Sequence, residues 1–198
     1  MNQQMTIDEL IKKAHAQAKS MGWWDEPRNT GELLMLIVSE CGEALEAHRS
    51  GRMGDLQQFD ARYPERNCQL SEEASLYLFR NAFEDYIKDS FSDELADIVI
   101  RIADLAGAHV LSLPVPDKVE QLAGVCSHKN VGNALLGVVR SVSSVGNFDN
   151  TASDEERLAA AIIGVFSIAA DHNIDLWRHI ELKLAYNLTR GRKHGKAY

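Results

Sequence analysis

The stretch GELLMLIVSECGEALEAHR, Gly31 to Arg49, decides how this chain folds. Leu33, Leu36, Ile37, Cys41 and Ala44 recur at steps of three and four residues, the pattern of an amphipathic helix. At about 100° per residue, Glu40 falls between Leu33, Ile37 and Ala44, inside the apolar arc, and Glu43 lies at its edge. A second stretch answers it: Ser92 to Gly107, SDELADIVIRIADLAG. Here Phe91, Leu95, Ile98, Ile102 and Leu105 form the arc. Glu94 falls beside Ile98 and Leu105, with Asp97 one turn on.

Acids at i and i+3 share a helix face. An ionised carboxylate facing a core costs several kcal/mol unless a counter-charge offsets it. On these two faces Arg101 is the clear cation, so two acid pairs point to a bound divalent metal. E-x-x-E by itself is a common surface-helix pattern; two such pairs intruding on two apolar arcs are not. Gln at Glu40 or Glu94 is therefore expected to leave the fold intact or more stable.

The 198 residues suit one domain carrying an insertion at about 51–90. Composition is that of a globular chain, 45% hydrophobic and 25% charged. No run of about 18 uncharged apolar residues predicts a membrane span, and MNQQMTIDEL lacks the regions of a signal peptide. Cys41, Cys68 and Cys126 show no C-x-x-C spacing and read as free thiols in the cytoplasm. A net charge of −8 argues against a nucleic-acid surface, without excluding a local basic pocket.

Thr6 with Glu9 is a capping box for a helix through about Lys19. Met21-Gly22 ends it, and a connector follows with Trp23 and Trp24 adjacent. One tryptophan suits a plug at the bundle's end, the other a platform for stacking a base. The first acidic helix spans about Thr30 to His48. Gly51 to Leu70 has no clean period and reads as an irregular insertion with a short helical turn. A helix from Ser71 to about Lys88 carries Leu76, Phe79, Phe83 and Ile87. Val131 to Val145 is a further helix. Ser153 with Glu156 caps another, to about Asp171, and Asp175 caps the last, through about Arg190. No strand pattern competes, and the expected class is all-α.

Lys183, Asn187 and Arg190 lie at i, i+4 and i+7 on the last helix, and Arg192, Lys193, His194 and Lys196 follow. Such a tail suits either a solvated helix end or a polyphosphate-binding wall facing the acids. Ile100 lies away from the arc of its helix, and Val165 and Phe166 add apolar surface. These predict a homodimer or homotetramer.

Glu40-Cys41-Gly42-Glu43 and Glu94-Leu95-Ala96-Asp97, with the flanks GELLMLIVSECGEALEAHRSGR and IKDSFSDELADIVIRIADLAG and the ending KLAYNLTRGRKHGK, resemble the MazG-like, all-α nucleoside triphosphate pyrophosphohydrolase superfamily. That superfamily also holds the dimeric dUTPases. The similarity covers about a third of the chain. It implies a helical bundle completed by oligomerisation, and Mg²⁺-dependent cleavage of a nucleoside triphosphate to monophosphate and pyrophosphate. Glu40, Glu43, Glu94 and Asp97 would hold Mg²⁺ (or Mn²⁺), as all-oxygen ligands suit, with Glu43 as base towards water. Lys183, Asn187, Arg190 and Lys193 would hold phosphate or sugar oxygens, with Trp23 or Trp24 near the base. About fifty residues separate Glu43 from Glu94, a longer interval than the family usually has. Two rivals remain: a non-catalytic helical nucleotide sensor or scaffold, and a carboxylate-bridged di-iron bundle. The latter normally needs Glu-x-x-His, absent after all four acids.

Overall fold

Helix-starting side chains place every long element. The computed structural model describes residues 5–63, 70–121, 130–147 and 151–195. Thr6 closes a capping box with Glu9 and opens α1, Ile7–Ser20. Asn29 accepts from the Glu32 N–H and opens α2, Thr30–Arg49. Ser90 accepts from the Asp93 N–H and opens α5, Phe91–Ala108. Between them lie α3, Leu56–Arg62, and α4, Glu72–Tyr86. After α5 come α6, Val131–Ser143, α7, Asp154–Asp171, opened by the Ser153/Glu156 capping box, and α8, Leu176–Leu188, capped by Asp175. Among the described residues the chain is all-helical. No single described helix is long and apolar enough to cross a membrane.

The architecture follows from α5. It packs against α1, α2, α7 and α8, while α6 bridges α2 and α7. Phe91, Leu95, Ile98, Val99, Ile102, Ala103, Leu105 and Ala106 are all buried, so α5 is a central helix covered on most sides. Its partner α2 buries Leu33, Ile37, Cys41, Ala44 and Ala47 against the same core.

The segment read as an irregular insertion is more regular than its composition implies. Helices α3 and α4 pack on each other and onto α8, closing a second core of Phe59, Phe79, Ala82, Phe83, Ile87, Leu182 and Tyr186. Phe83 stacks on Tyr186, their ring centroids 4.3 Å apart. Phe79, Phe83 and Ile87 follow the period expected for the helix from Ser71. Helix α3, in the stretch read as irregular with a short helical turn, buries only Phe59, whose place in a core emerges once α4 and α8 supply the facing surface. Ile100, Val165 and Phe166, read as surface for a second copy, are covered within the chain itself. Cys68, Cys126 and Lys196 lie outside the described residues.

Candidate active site

The α2–α5 contact brings the two acid pairs face to face. A cavity of about 240 Å³ opens between α1, α2, α5 and the end of α8. Glu40, Glu43, Glu94, Asp97, Lys183, Asn187, Arg190 and Trp23 all line it, eight of the ten residues singled out from the sequence. Glu94, Asp97, Arg101 and Asp104 form its α5 wall, at i, i+3, i+7 and i+10, a helical stripe about 15 Å long at 1.5 Å per residue.

Each acid pair is divided between one carboxylate with a protein cation and one without. Arg101 reaches Oε1 of buried Glu40 with Nε and Nη2, both at 2.6 Å. Lys183 is buried between Asp97, at 2.8 Å, and Asp93, at 2.7 Å. Glu43 is exposed and accepts only from Ser39 Oγ, at 3.2 Å, among the described residues. Glu94 is buried, and among the described residues no ion pair reaches it. Burial, with Asp97 next, pushes the Glu94 carboxyl up to about 9. Burial also raises Glu40, with Arg101 working against the rise. Asp93 is pushed by burial up to about 6, Lys183 holding it back. For Lys183 burial works against the charge, but Asp97 and Asp93 outweigh it and hold the ammonium charged.

Glu40, Glu43 and Glu94 each present an oxygen within 4.8 Å of the others. Asp89, Asp93 and Glu94 form a second such group, sharing Glu94. An octahedral Mg²⁺ with bonds near 2.0–2.1 Å spaces its oxygens about 2.9 to 4.2 Å apart, so the first trio is within about an ångström of closing on an ion. The donors are all hard oxygens. The Cys41 thiol, between the acids in sequence, is pushed by burial up to about 12 and offers no thiolate. The residues present therefore fit a hard divalent cation. Oδ1 of Asn187, in the cavity wall, is buried with no hydrogen-bond partner among the described residues, an acceptor that a ligand would complete.

Several sequence-based roles change here. Asp97 lines the cavity but falls outside the trio, its carboxylate turned to Lys183. Lys183, though it lines the cavity, is engaged as an internal counter-ion, its buried ammonium shared between Asp93 and Asp97. It is also the second cation that the reading of α2 and α5 alone lacked. Trp24 packs against the core and donates Nε1 to Asp104 Oδ1 at 2.9 Å, so its indole is a structural plug. Lys193 is not in the cavity wall; its backbone N–H donates to the Met21 carbonyl at 3.0 Å.

The tail is nonetheless docked. Arg192 pairs with Asp25 and lies over Gly22, whose φ of +83° and lack of a Cβ admit the guanidinium; a Cβ there would stand 2.8 Å from Arg192 Nε. Arg190 lines the cavity, its guanidinium 5.8 Å from the Tyr186 ring centroid.

Five residues escaped the sequence reading. Asp93 looks like an ordinary N-terminal acid beside Ser90, and only α8 reveals its lysine. Lys88 and Asp89 enter the wall from the end of the insertion. Arg28 was legible only as a neighbour of the tryptophans. Asp104 stands ten residues on from Glu94, on the stripe whose cation, Arg101, was the one further residue read from the sequence.

Comparison of the chain with known protein families, with curated proteins and with solved structures finds no match. The functional reading therefore rests on these residues.

Proposed function

We propose that this protein is a Mg²⁺-dependent nucleoside triphosphate pyrophosphohydrolase of the MazG-like, all-α type, cleaving between the α and β phosphates. One observation carries the reading: the two acid pairs share a single cavity, Glu40, Glu43 and Glu94 offering oxygens within 4.8 Å, with Arg190, Asn187 and Trp23 in the same walls.

Glu40, Glu43 and Glu94 would hold the metal, with Asp97 adding charge beside them. Bound there, Mg²⁺ would supply charge against the phosphate oxygens and acidify a bound water. Arg101 fixes Glu40 in place through its two short contacts, and Lys183 fixes Asp97 and Asp93, so these three acids are oriented before any ligand arrives. Glu43, exposed and bound only by a hydroxyl, is the carboxylate free to take a proton from the attacking water. Arg190 donates to phosphate oxygens, as its planar fork suits. Asn187 bonds to phosphate or sugar. Trp23 offers an aromatic face to the base.

A non-catalytic nucleotide sensor is the second reading, favoured by the ion pairs that already occupy Glu40 and Asp97. A di-iron bundle has less support, since no histidine lines the cavity among the described residues. A homodimer or homotetramer remains part of the proposal; Met35, Val110, Leu136 and Leu188 are exposed apolar side chains available to cover.

Incubating the protein with Mg²⁺ and a panel of nucleoside triphosphates tests the chemistry. Monophosphate and pyrophosphate are the expected products. Orthophosphate and diphosphate would refute the cleavage position, and binding without turnover would favour the sensor.

A further inference from the structure

The α5 stripe has two ends of different character. Glu94 lies at the end with the carboxylates. Asp104 lies at the other, about 15 Å away along the helix, with Arg28 and Trp23 in the same walls. Nη2 of Arg28 is buried and has no hydrogen-bond partner. The guanidinium carbon sits 5.8 Å from the ring centroids of both Trp23 and Trp24, held by aromatic faces rather than by an acid. Arginine carries donors only, so this orphaned donor calls for an acceptor on a ligand.

Asp104 is its complement. Oδ1 is fully engaged, by His15 Nδ1 at 2.8 Å and Trp24 Nε1 at 2.9 Å. Oδ2 has only the longer Trp24 contact, at 3.2 Å, and keeps acceptor capacity. No ion pair joins Arg28 to Asp104 among the described residues, so each retains that capacity. The His15 and Trp24 bonds also fix the carboxylate's orientation, which makes it a rigid reader. A phosphate placed here would meet a like charge; a neutral ring would not.

Resting on the nucleotide reading above, we propose that the Arg28–Asp104 end is a nucleobase subsite selecting a lactam edge. Such an edge is a ring carbonyl beside a ring N–H, as on uracil, thymine, guanine and hypoxanthine. Arg28 donates to the carbonyl, Asp104 accepts from the ring N–H, and Trp23 faces the ring. Adenine and cytosine present the reverse pattern, an amino donor beside a ring-nitrogen acceptor. They would set donor against donor and acceptor against acceptor. Sites built to hydrogen-bond a substrate reject analogues that leave their buried groups unpaired.

The test uses the full chain with Mg²⁺ and dUTP, dTTP, dGTP, dATP and dCTP, and separately the five monophosphates without metal, by calorimetry. The first three triphosphates are expected to exceed dATP and dCTP in kcat/KM by at least about tenfold. Arg28→Met should lower the lactam set by at least about tenfold more than the other two. Asp104→Asn, adding a donor where only an acceptor stood, should collapse or reverse the preference. Should Asp104→Asn lose its melting transition, Arg28→Met and the monophosphate affinities decide alone. Equal kcat/KM on all five substrates, or an Arg28→Met loss spread evenly over them, overturns the subsite while the hydrolase reading stands. No turnover, with dUMP and dGMP still bound more tightly than dAMP and dCMP, sinks the hydrolase reading and upholds the subsite.

Discussion

The two acid pairs have the same spacing and the same helix geometry, yet their members live in four different electrostatic environments. Glu40 is buried and clasped by Arg101; Glu43 is exposed, with only a serine hydroxyl. Asp97 is paired with Lys183, while Glu94 is buried with no ion pair among the described residues. The cations come crosswise. Arg101 on α5 serves the α2 pair, and Lys183 on α8 serves the α5 pair. What differs is thus not the acid but the helix that faces it: one member of each pair has its charge answered from a neighbouring helix and the other does not.

The largest expected effect comes from removing a clasp. Lys183→Met leaves Asp93 and Asp97 without their cation in a buried site, at a cost of about 3–5 kcal/mol. Denaturant titration should register that loss, and adding Asp93→Asn should restore part of it. A melting point equal to wild type would mean that α8 does not organise the α5 acids.

Glu94 should behave in the opposite way in stability while mattering most in chemistry. Glu94→Gln is expected to lower kcat by at least about a hundredfold, some 2.7 kcal/mol of barrier. Retention of more than about a tenth of the wild-type rate would remove Glu94 from the metal site. Without metal, the folded Glu94 carboxyl keeps its proton up to about pH 9, whereas the unfolded one releases it near 4.5. The folded state therefore binds more protons between those values, and stability falls as pH rises through that window. From pH 7.5 to 9, Asp93, titrating near 6, and His179, depressed by burial to about 4 from an ordinary value of 6.5, contribute little to the slope. Glu94→Gln should flatten the slope and melt higher at pH 8. Glu40→Gln should instead melt lower, by roughly 1–3 kcal/mol, because Arg101 loses its charged acceptor. That reverses the expectation drawn from α2 alone. If both variants shift stability in the same direction, the contrast between clasped and bare acids fails.

The smallest effect expected is at Arg190. Arg190→Ala should lower kcat/KM by roughly ten- to a hundredfold, with only a few tenths of a kcal/mol in stability, the scale of a charge at a helix end. Unchanged kinetics with a lowered melting point would make Arg190 a helix-end residue only.

Much of this was legible in the linear chain. Helical arithmetic put Glu40 and Glu43 on one face and Glu94 and Asp97 on another, with Arg101 as the cation on these faces. Capping chemistry at Thr6, Asp175 and Ser153 located the helix starts to within a residue. Which tryptophan plugs the core was left open, and Lys183 was expected in a phosphate-binding wall, for a common reason. Each has two chemically reasonable roles, open ligand contact or internal partner, and only the opposing helix selects between them. Helix α4 was legible from Phe79, Phe83 and Ile87, but α3 read only as a short helical turn because its one buried residue, Phe59, completes a core only against α4, Leu182 and Tyr186.

The residues alone thus determined the helices, the faces and the presence of more carboxylates than two apolar arcs can hold, since periodicity and burial cost are local properties. Tertiary structure decided which carboxylate meets which cation, which tryptophan faces the cavity, and that Arg28 stands beside Asp104 with a donor unfilled. Those are pairings between positions far apart in the chain, and electrostatic energy depends on the distance and burial that packing alone sets.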